Sequence, residues 1–292
     1  MSAIVCFGEV LWDILPHGRF LGGAPLNVAY HLSRLGRTPR LVSAVGSDAL
    51  GAEALSFIER AGLETGGVAR HAALETGSVE VRLDAQGQAT YLIRRPVAWD
   101  EIGVLPSAGE SVSGAIVFGS LSLRGDANRR TLRAWLRATT GLRVCDLNLR
   151  PPFDAVAELD EFVRGCTLLK VNGDEARTLA SAELKNAGVE AHAAHLASAY
   201  ACENICVTLG AEGALWWREG KTYRASSPPV EVRDTIGAGD AFMAALLDGL
   251  LRGGRQPDCT ALLARACALG AFVAGRDGAQ PLYEPADVPG LR

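Results

Sequence analysis

An α/β fold, a doubly wound and mostly parallel sheet flanked by helices with a small β lid, is what this sequence predicts. Three observations carry that expectation. Short apolar strand patterns alternate with helical ones along most of the chain, as in sheets covered on both faces. One hairpin with a period of two interrupts the alternation and reads as a flap standing off the main sheet. A length of 292 residues with 48% hydrophobic content is enough to bury one large core.

The elements follow in order. Ala3 to Phe7 is an apolar run read as a buried strand, and Gly8, Glu9 and Val10-Leu11-Trp12-Asp13 come next. Asp13 is a lone acid among hydrophobic residues, either a ligand for a sugar hydroxyl or a turn cap. Gly22-Gly23-Ala24-Pro25-Leu26-Asn27 reads as a loop and N-cap, with helical spacing from Val28 to Leu35 ending at Gly36. Two glycines there let a ligand approach backbone amides, and Asn27 offers both a donor and an acceptor. Arg40 to Val45 is a strand and Ala52 to Ala61 a helix.

Val79, Val81 and Leu83 then alternate with Glu80 and Arg82, Asp84-Ala85-Gln86-Gly87 makes a turn, and Ala89 to Ile93 returns. Arg94 and Arg95 at the exit are placed to reach an anionic or hydroxylated ligand. Ala115 to Phe118, Arg143 to Leu147, Thr167 to Val171 and Asn204 to Thr208 are further strands, interleaved with helices at Arg129 to Ala138, Glu175 to Ala182 and Ala191 to Ala201. In such sheets ligands gather at the carboxyl ends of the strands. The residues at those ends are small, polar or charged: Gly119 and Ser120, Asn148 and Arg150, Asn172 and Glu175, Thr208 and Gly210.

The chain is organised around Asp234-Thr235-Ile236-Gly237-Ala238-Gly239-Asp240, which opens an apolar helix running to Gly253 and Gly254. Small residues let the amides of Gly237, Ala238 and Gly239 approach a ligand, and the first amides of a helix have no intrahelical partners. Together with the helix dipole they make an anion site. Asp240 falls in the first turn, where the dipole favours its ionised form. A carboxylate beside an anion site suits a group that takes a proton from a nucleophile attacking phosphorus.

Composition excludes other classes. The net charge is -4 and basic residues are scattered, so nothing suggests a nucleic-acid surface. No apolar stretch approaches the roughly 18 residues of a membrane span, and the start of the chain lacks the pattern of a signal peptide. Seven scattered cysteines, an odd number, suggest buried thiols in a reducing cytoplasm. His192 and His195 lie three apart on a helix whose Ala-rich neighbours read as a surface element. Neither a P-loop motif nor a His-Arg-Asp catalytic loop is present. A dehydrogenase is disfavoured because Phe242 occupies the third glycine position after Gly237-x-Gly239.

With these residues in view, the chain resembles the ribokinase-like, or PfkB, family of carbohydrate kinases over essentially its full length. Two stretches carry the likeness: Gly22-Gly23-Ala24-Pro25-Leu26-Asn27-Val28-Ala29, with Gly36 and Gly46 at later spacings, and Asp234 to Asp240 with its helix. The resemblance implies a ribokinase-like domain with a discontinuous lid from about 13–22 and 77–97. It also implies transfer of the ATP γ-phosphoryl group to a primary hydroxyl of a small sugar. By the same resemblance Asp240 is the catalytic base, and Gly237, Ala238 and Gly239 form the anion hole. Asp13, Gly22, Gly23, Asn27, Arg94, Asn148 and Arg150 fall on the substrate side. Asn172, Glu175, Thr208, Gly210, Gly213 and Cys267 fall on the nucleotide side, Glu175 also serving Mg2+ indirectly. Asp234, Ile236 and Gly278 match a monovalent-cation site, for K+ in many relatives.

Phe118 to Leu123, Asp146 to Arg150 and Arg94 before Pro96 resemble fructokinases most closely, which implies D-fructose as acceptor. Kinases for ribose, tagatose, 2-keto-3-deoxygluconate and nucleosides share much of the frame, and a non-catalytic sensor is the rival from another class. Two departures stand out. The segment from Asp13 to Gly22 is short, which leaves the first lid strand open, and Cys267 replaces an adenine-contacting Asn. The partners implied are a sugar and ATP, with no nucleic acid and no membrane, in a cytoplasmic monomer or homodimer.

Overall fold

The computed structural model describes residues 3–15, 18–83, 89–153, 156–254 and 257–291. In chain order its elements are β1 (Ile4–Phe7), β2 (Leu11–Leu15), β3 (Gly18–Gly22), α1 (Ala24–Arg34), β4 (Pro39–Gly46), α2 (Ala49–Arg60), β5 (Val68–His71), β6 (Gly77–Leu83) and β7 (Ala89–Ile93). There follow β8 (Ala115–Gly119), α3 (Asp126–Ala138), β9 (Leu142–Asp146), α4 (Asp160–Val163), β10 (Leu168–Asn172), α5 (Gly173–Leu179) and α6 (Val189–Tyr200). The chain closes with β11 (Asn204–Thr208), β12 (Ala214–Arg218), β13 (Lys221–Ala225), α7 (Ala238–Gly253) and α8 (Cys259–Ala274).

Nine strands form one sheet in the order β13-β12-β11-β10-β9-β8-β1-β4-β5. Neighbours from β5 to β11 are parallel, and β12 and β13 add an antiparallel hairpin at one edge. Alternate side chains go to opposite cores. Ile4 and Cys6 of β1 pack on the side of α1, α2, α7 and α8, whereas Val5 and Phe7 pack on the side of α3, α4, α5 and α6. Burial on both faces explains why these strands read as continuous apolar runs and not as alternating ones.

A second sheet of four strands, in the order β3-β2-β6-β7, stands apart from the first. The short segment after Asp13 therefore does supply strands: β2 pairs antiparallel with β3 and parallel with β6. Asp13 sits mid-strand opposite Phe20, so it is not a turn cap. The turn expected at Asp84 to Gly87, and His17, lie outside the described residues.

Other corrections are local. Of the stretch read as a loop and N-cap, Gly22 ends β3 and Gly23 is indeed the N-cap, but Ala24 to Asn27 is already helix, with Pro25 in the first turn of α1. A proline costs nothing there, since a first-turn amide has no intrahelical acceptor. Asn27 is thus presented from the first turn of a helix. The helix expected to reach Ala182 stops at Leu179, and Ala182 starts a separate short turn. The strands β5, β12 and β13 and the helix α8 were not foreseen.

All seven cysteines are buried free thiols. His192 is buried and its Nε2 contacts the Leu184 carbonyl at 2.8 Å, a structural contact. Among the described residues no helix is long and apolar enough to cross a membrane.

Candidate active site

The carboxyl ends of β1, β9 and β10 face the amino end of α7. Gly237 caps that helix with φ of 77°, a left-handed conformation suited to glycine. A Cβ there would lie 2.4 Å from the Cβ of Ala279, so the glycine is also required by the close approach of the loop before Gln280. The turn is closed by a bond from the Ala241 amide to the Gly237 carbonyl at 2.9 Å. Ala238, Gly239 and Asp240 form the first turn of α7, where the Ala238 amide donates to the Thr235 carbonyl at 3.3 Å and the next amides have no intrahelical acceptor.

Asp240 is buried, and its Oδ2 accepts a 2.7 Å hydrogen bond from Asn27 Nδ2. Asn27 is fixed in turn by Gln280, whose Nε2 donates to its Oδ1 at 2.6 Å. Three segments far apart in sequence thus converge on one carboxyl. Its proton affinity runs against the first-turn expectation: burial, reinforced by the negative charge of Asp146, pushes Asp240 up to about 6, against the Asn27 bond and the charges of Lys170 and Arg150. Desolvation of the carboxylate outweighs the helix dipole, because the dipole is worth a fraction of what water supplies to an exposed charge.

Two further acids share this surrounding. Asp13, half-buried on β2, is raised to about 6 by burial, with Arg150 opposing and Asp234 adding. Its Oδ2 lies 2.9 Å from where a Cβ on Gly22 would stand, which accounts for the glycine at that place on the neighbouring strand β3. Glu9 is 4% exposed and is pushed up to about 7 by burial, and its Oε1 accepts the Ala24 amide at 3.1 Å. Its other oxygen has no hydrogen-bond partner among the described residues. Glu9 was not among the expected site residues, although an acid between apolar runs was a visible signal.

Gly23 has φ of 116°, and a Cβ on it would meet the Glu9 carbonyl at 2.2 Å, so α1 starts hard against the end of β1. Asn148, with φ of 45°, follows β9, and Arg150 two residues on is exposed, its charge felt by Glu9, Asp13 and Asp240. Arg94 does not join this group. It is exposed at the end of β7, where its Nη2 pairs with Glu80 at 2.6 Å. The Arg94 carbonyl accepts from the buried Arg124, which pairs with Asp100 at 2.6 Å and lies over the Trp99 ring at 3.9 Å.

Asn172 and Glu175 form a reciprocal cap on α5. Asn172 accepts the Glu175 amide at 2.8 Å, and Glu175 Oε2 accepts the Asn172 amide at 2.9 Å. Glu175 Oε1 accepts the Leu149 amide at 2.7 Å, so both its oxygens are engaged by backbone and tie β10 to the segment carrying Asn148 and Arg150. Asp234 brings its own predicted companions together: its carboxylate accepts the amides of Ile236 at 2.9 Å and Gly278 at 3.3 Å.

Thr208 ends β11, and Gly210 and Gly213 follow it with φ of 60° and 100°. A Cβ on Gly213 would be 2.0 Å from the Ala225 carbonyl, and Cys267 Sγ also lies against that carbonyl at 3.8 Å. Gly213 and Cys267, read separately from the sequence, therefore meet at the end of β13.

The buried Asp240, the glycine turn that opens α7 and the acids at the ends of β1 and β2 thus gather at one end of the parallel sheet. The chain belongs to the pfkB family of carbohydrate kinases, whose family model matches residues 17–286. The fructokinase of Salmonella typhimurium is 30% identical over 269 residues, 87% of this chain and 86% of its own length. A putative sugar kinase of Pyrococcus horikoshii is 30% identical over 252 residues, 83% of this chain and 77% of its own. Among solved structures, a fructokinase from Xylella fastidiosa with bound ATP superposes with a TM-score of 0.82 at 25% identity, covering 95% of this chain and 94% of its own.

Proposed function

We propose that this carbohydrate kinase is a fructokinase, transferring the γ-phosphoryl group of ATP to the primary hydroxyl of D-fructose that yields fructose 6-phosphate. The observation that carries the reading is Asp240, a buried carboxyl in the first turn of α7 beside the Gly237 to Gly239 amides and aimed by Asn27. Two things support fructose in particular: fructokinases among the relatives, and the fructokinase-like segments 118–123 and 146–150.

In this reading the sugar lies between Asp13, Gly22, Gly23, Asn27, Asn148 and Arg150, with its reacting hydroxyl at Asp240. Phosphoryl transfer has a loose transition state, so positioning and charge neutralisation dominate. Asp240 takes the proton as the oxygen–phosphorus bond forms. The amides of Gly237 and Gly239 receive charge on the transferred group, joined by that of Ala238 when it turns from the Thr235 carbonyl it meets at 3.3 Å. The sheet of β2, β3, β6 and β7 forms the lid over 13–22 and 77–97, closing to exclude water that would otherwise accept the phosphoryl group. Arg94 belongs to that lid, and it reaches the sugar only by leaving Glu80.

The nucleotide lies along Thr208, Gly210, Gly213 and Cys267. Mg2+ bound with ATP would neutralise phosphate charge. The engaged oxygens of Glu175 fit an indirect part in that, together with Asn172, and not direct ligation. Asp234, with Ile236 and Gly278, would hold a monovalent cation such as K+ behind the cradle.

The acidity of Asp240 sets a pH dependence. The base must be ionised, and Asp240 gains its proton as pH falls through about 6, so kcat should drop with decreasing pH around 6 and level off above it. A pH–rate profile checks this. A limb near the ordinary carboxylate value of 3.8 would mean that burial does not govern the base.

The reading itself is tested by Mg–ATP turnover, coupled to ADP release, with fructose, ribose, tagatose, 2-keto-3-deoxygluconate, glucose and adenosine. Fructose is expected to give the highest kcat/KM, by about tenfold or more, a margin a few hydroxyl contacts supply. Another favourite would replace fructose and leave the transfer chemistry. ATP binding with no turnover on any of them would favour a sensor.

A further inference from the structure

Beneath the glycine cradle lies a charge pair that the reaction as drawn above does not use. Lys170 is the one charged residue of β10, and its Nζ donates to both carboxylate oxygens of Asp146, the last residue of β9, at 2.8 and 2.7 Å. Their side chains are 7% and 5% exposed. A Cβ on Gly239 would lie 3.3 Å from the Lys170 Nζ, so the ammonium stands directly against the first turn of α7, one residue from Asp240.

Taking two charges out of water is expensive, and a well-packed apolar pair of similar volume is commonly no less stable. Stability alone is thus a weak reason for charges at this spot. We infer that Asp146 and Lys170 are positioning residues of the transfer site, a fixed charge pair under the cradle that governs when Asp240 carries its proton.

The electrostatics agree with the geometry. Burial opposes the ammonium of Lys170, yet the Asp146 carboxylate outweighs it and raises Lys170 above the ordinary lysine value, with Asp240 and Glu175 adding. Asp240 feels Asp146 as a charge that raises it and Lys170 as one that lowers it. The other groups facing Asp240 are the Nδ2 of Asn27 from α1, whose Oδ1 is held by Gln280, Glu9 just after β1, and Arg150 after β9. The Cys206 thiol of β11, kept neutral by burial, lies by the pair. A Lys170 ammonium in this position also places positive charge behind the anion site, where a phosphoryl group in transit is most negative.

The inference rests on Asp240 as the proton acceptor, and its test separates the two. Asp240 is titrated directly by carboxyl carbon NMR, its signal identified by its loss in Asp240→Asn, in parallel with the pH profile of kcat. Asp146→Asn removes negative charge and should lower the Asp240 midpoint by about one pH unit, whereas Lys170→Met should raise it by about one. A midpoint that stays at the wild-type value in either variant, or two that move the same way, overturns the inference. Should Lys170→Met fail to fold, Asp146→Asn decides alone, because it is isosteric and keeps an oxygen for the ammonium. Midpoints that separate as expected while the kcat limb stays put would uphold the charge pair and remove Asp240 as the base.

Discussion

Asp240→Asn is expected to lower kcat by about 10²- to 10⁴-fold, the usual contribution of a positioned general base. ATP affinity, measured by calorimetry, should stay within a few-fold of wild type. The amide keeps the shape of the carboxyl and an oxygen for Asn27 Nδ2, so little else in the site is disturbed. Stability supplies an internal control. The folded carboxyl is raised to about 6 from an ordinary 3.8, so ionisation disfavours the fold, increasingly from about pH 4 to pH 6 and to a constant extent above that. A neutral side chain removes this penalty at pH 7, and the melting temperature should hold or rise. Loss of turnover with a firm melting temperature then means lost chemistry. Near-normal turnover would remove Asp240 from the base's place.

Gly237→Ala is expected to cost about 100-fold in kcat, although the added methyl itself has no chemical part in the reaction. One methyl at this position meets the Cβ of Ala279 at 2.4 Å and its Cα at 2.6 Å, and φ of 77° is strained for alanine. The displaced loop carries Gly278, which is bonded to Asp234, and Gln280, which is bonded to Asn27. A shift there passes through Asn27 to Asp240, and misplacement by about 1 Å is enough for a loss of that size. A stability loss of about 2 kcal/mol should accompany it, from backbone strain and the forced contact. Thermal unfolding and steady-state kinetics measure both. A variant with turnover within threefold of wild type would show that the loop yields without disturbing Asn27, and that the close packing of Gly237 on Ala279 is dispensable.

Most of the central sheet was legible because its strands are buried on both faces and stand out as apolar runs between glycine and polar segments. Strand β1, and β8 to β11, fall within a residue of expectation. Helix α7 was legible for the same reason, ending at Gly253 with Gly254 left-handed just beyond. Helix α8 was not. Its residues from Cys259 to Ala274 are almost all small or apolar, with alanines even at the exposed positions 261 and 264, so no polar face marks a helical period. The edge strands β12 and β13 were missed because pairing at one edge, and not an apolar run, is what makes them strands. At the start of α1, the two glycines were given more weight than Pro25, which marks a first helical turn.

The sequence alone was sufficient to define an α/β chain with a glycine-bounded helix start ending in Asp240, and the polar residues waiting at the strand ends. These are local properties, written in hydrophobic period and in the backbone demands of glycine and proline. Tertiary structure decided which of those residues meet. Asn27 reaches Asp240, Gln280 reaches Asn27, Lys170 lies under Gly239, and Arg94 turns to Glu80. It also decided the character of Asp240. Residue type and helix position favour a carboxylate, but burial removes the water that would stabilise the charge, and burial is a property of the packed chain and of no single stretch of it.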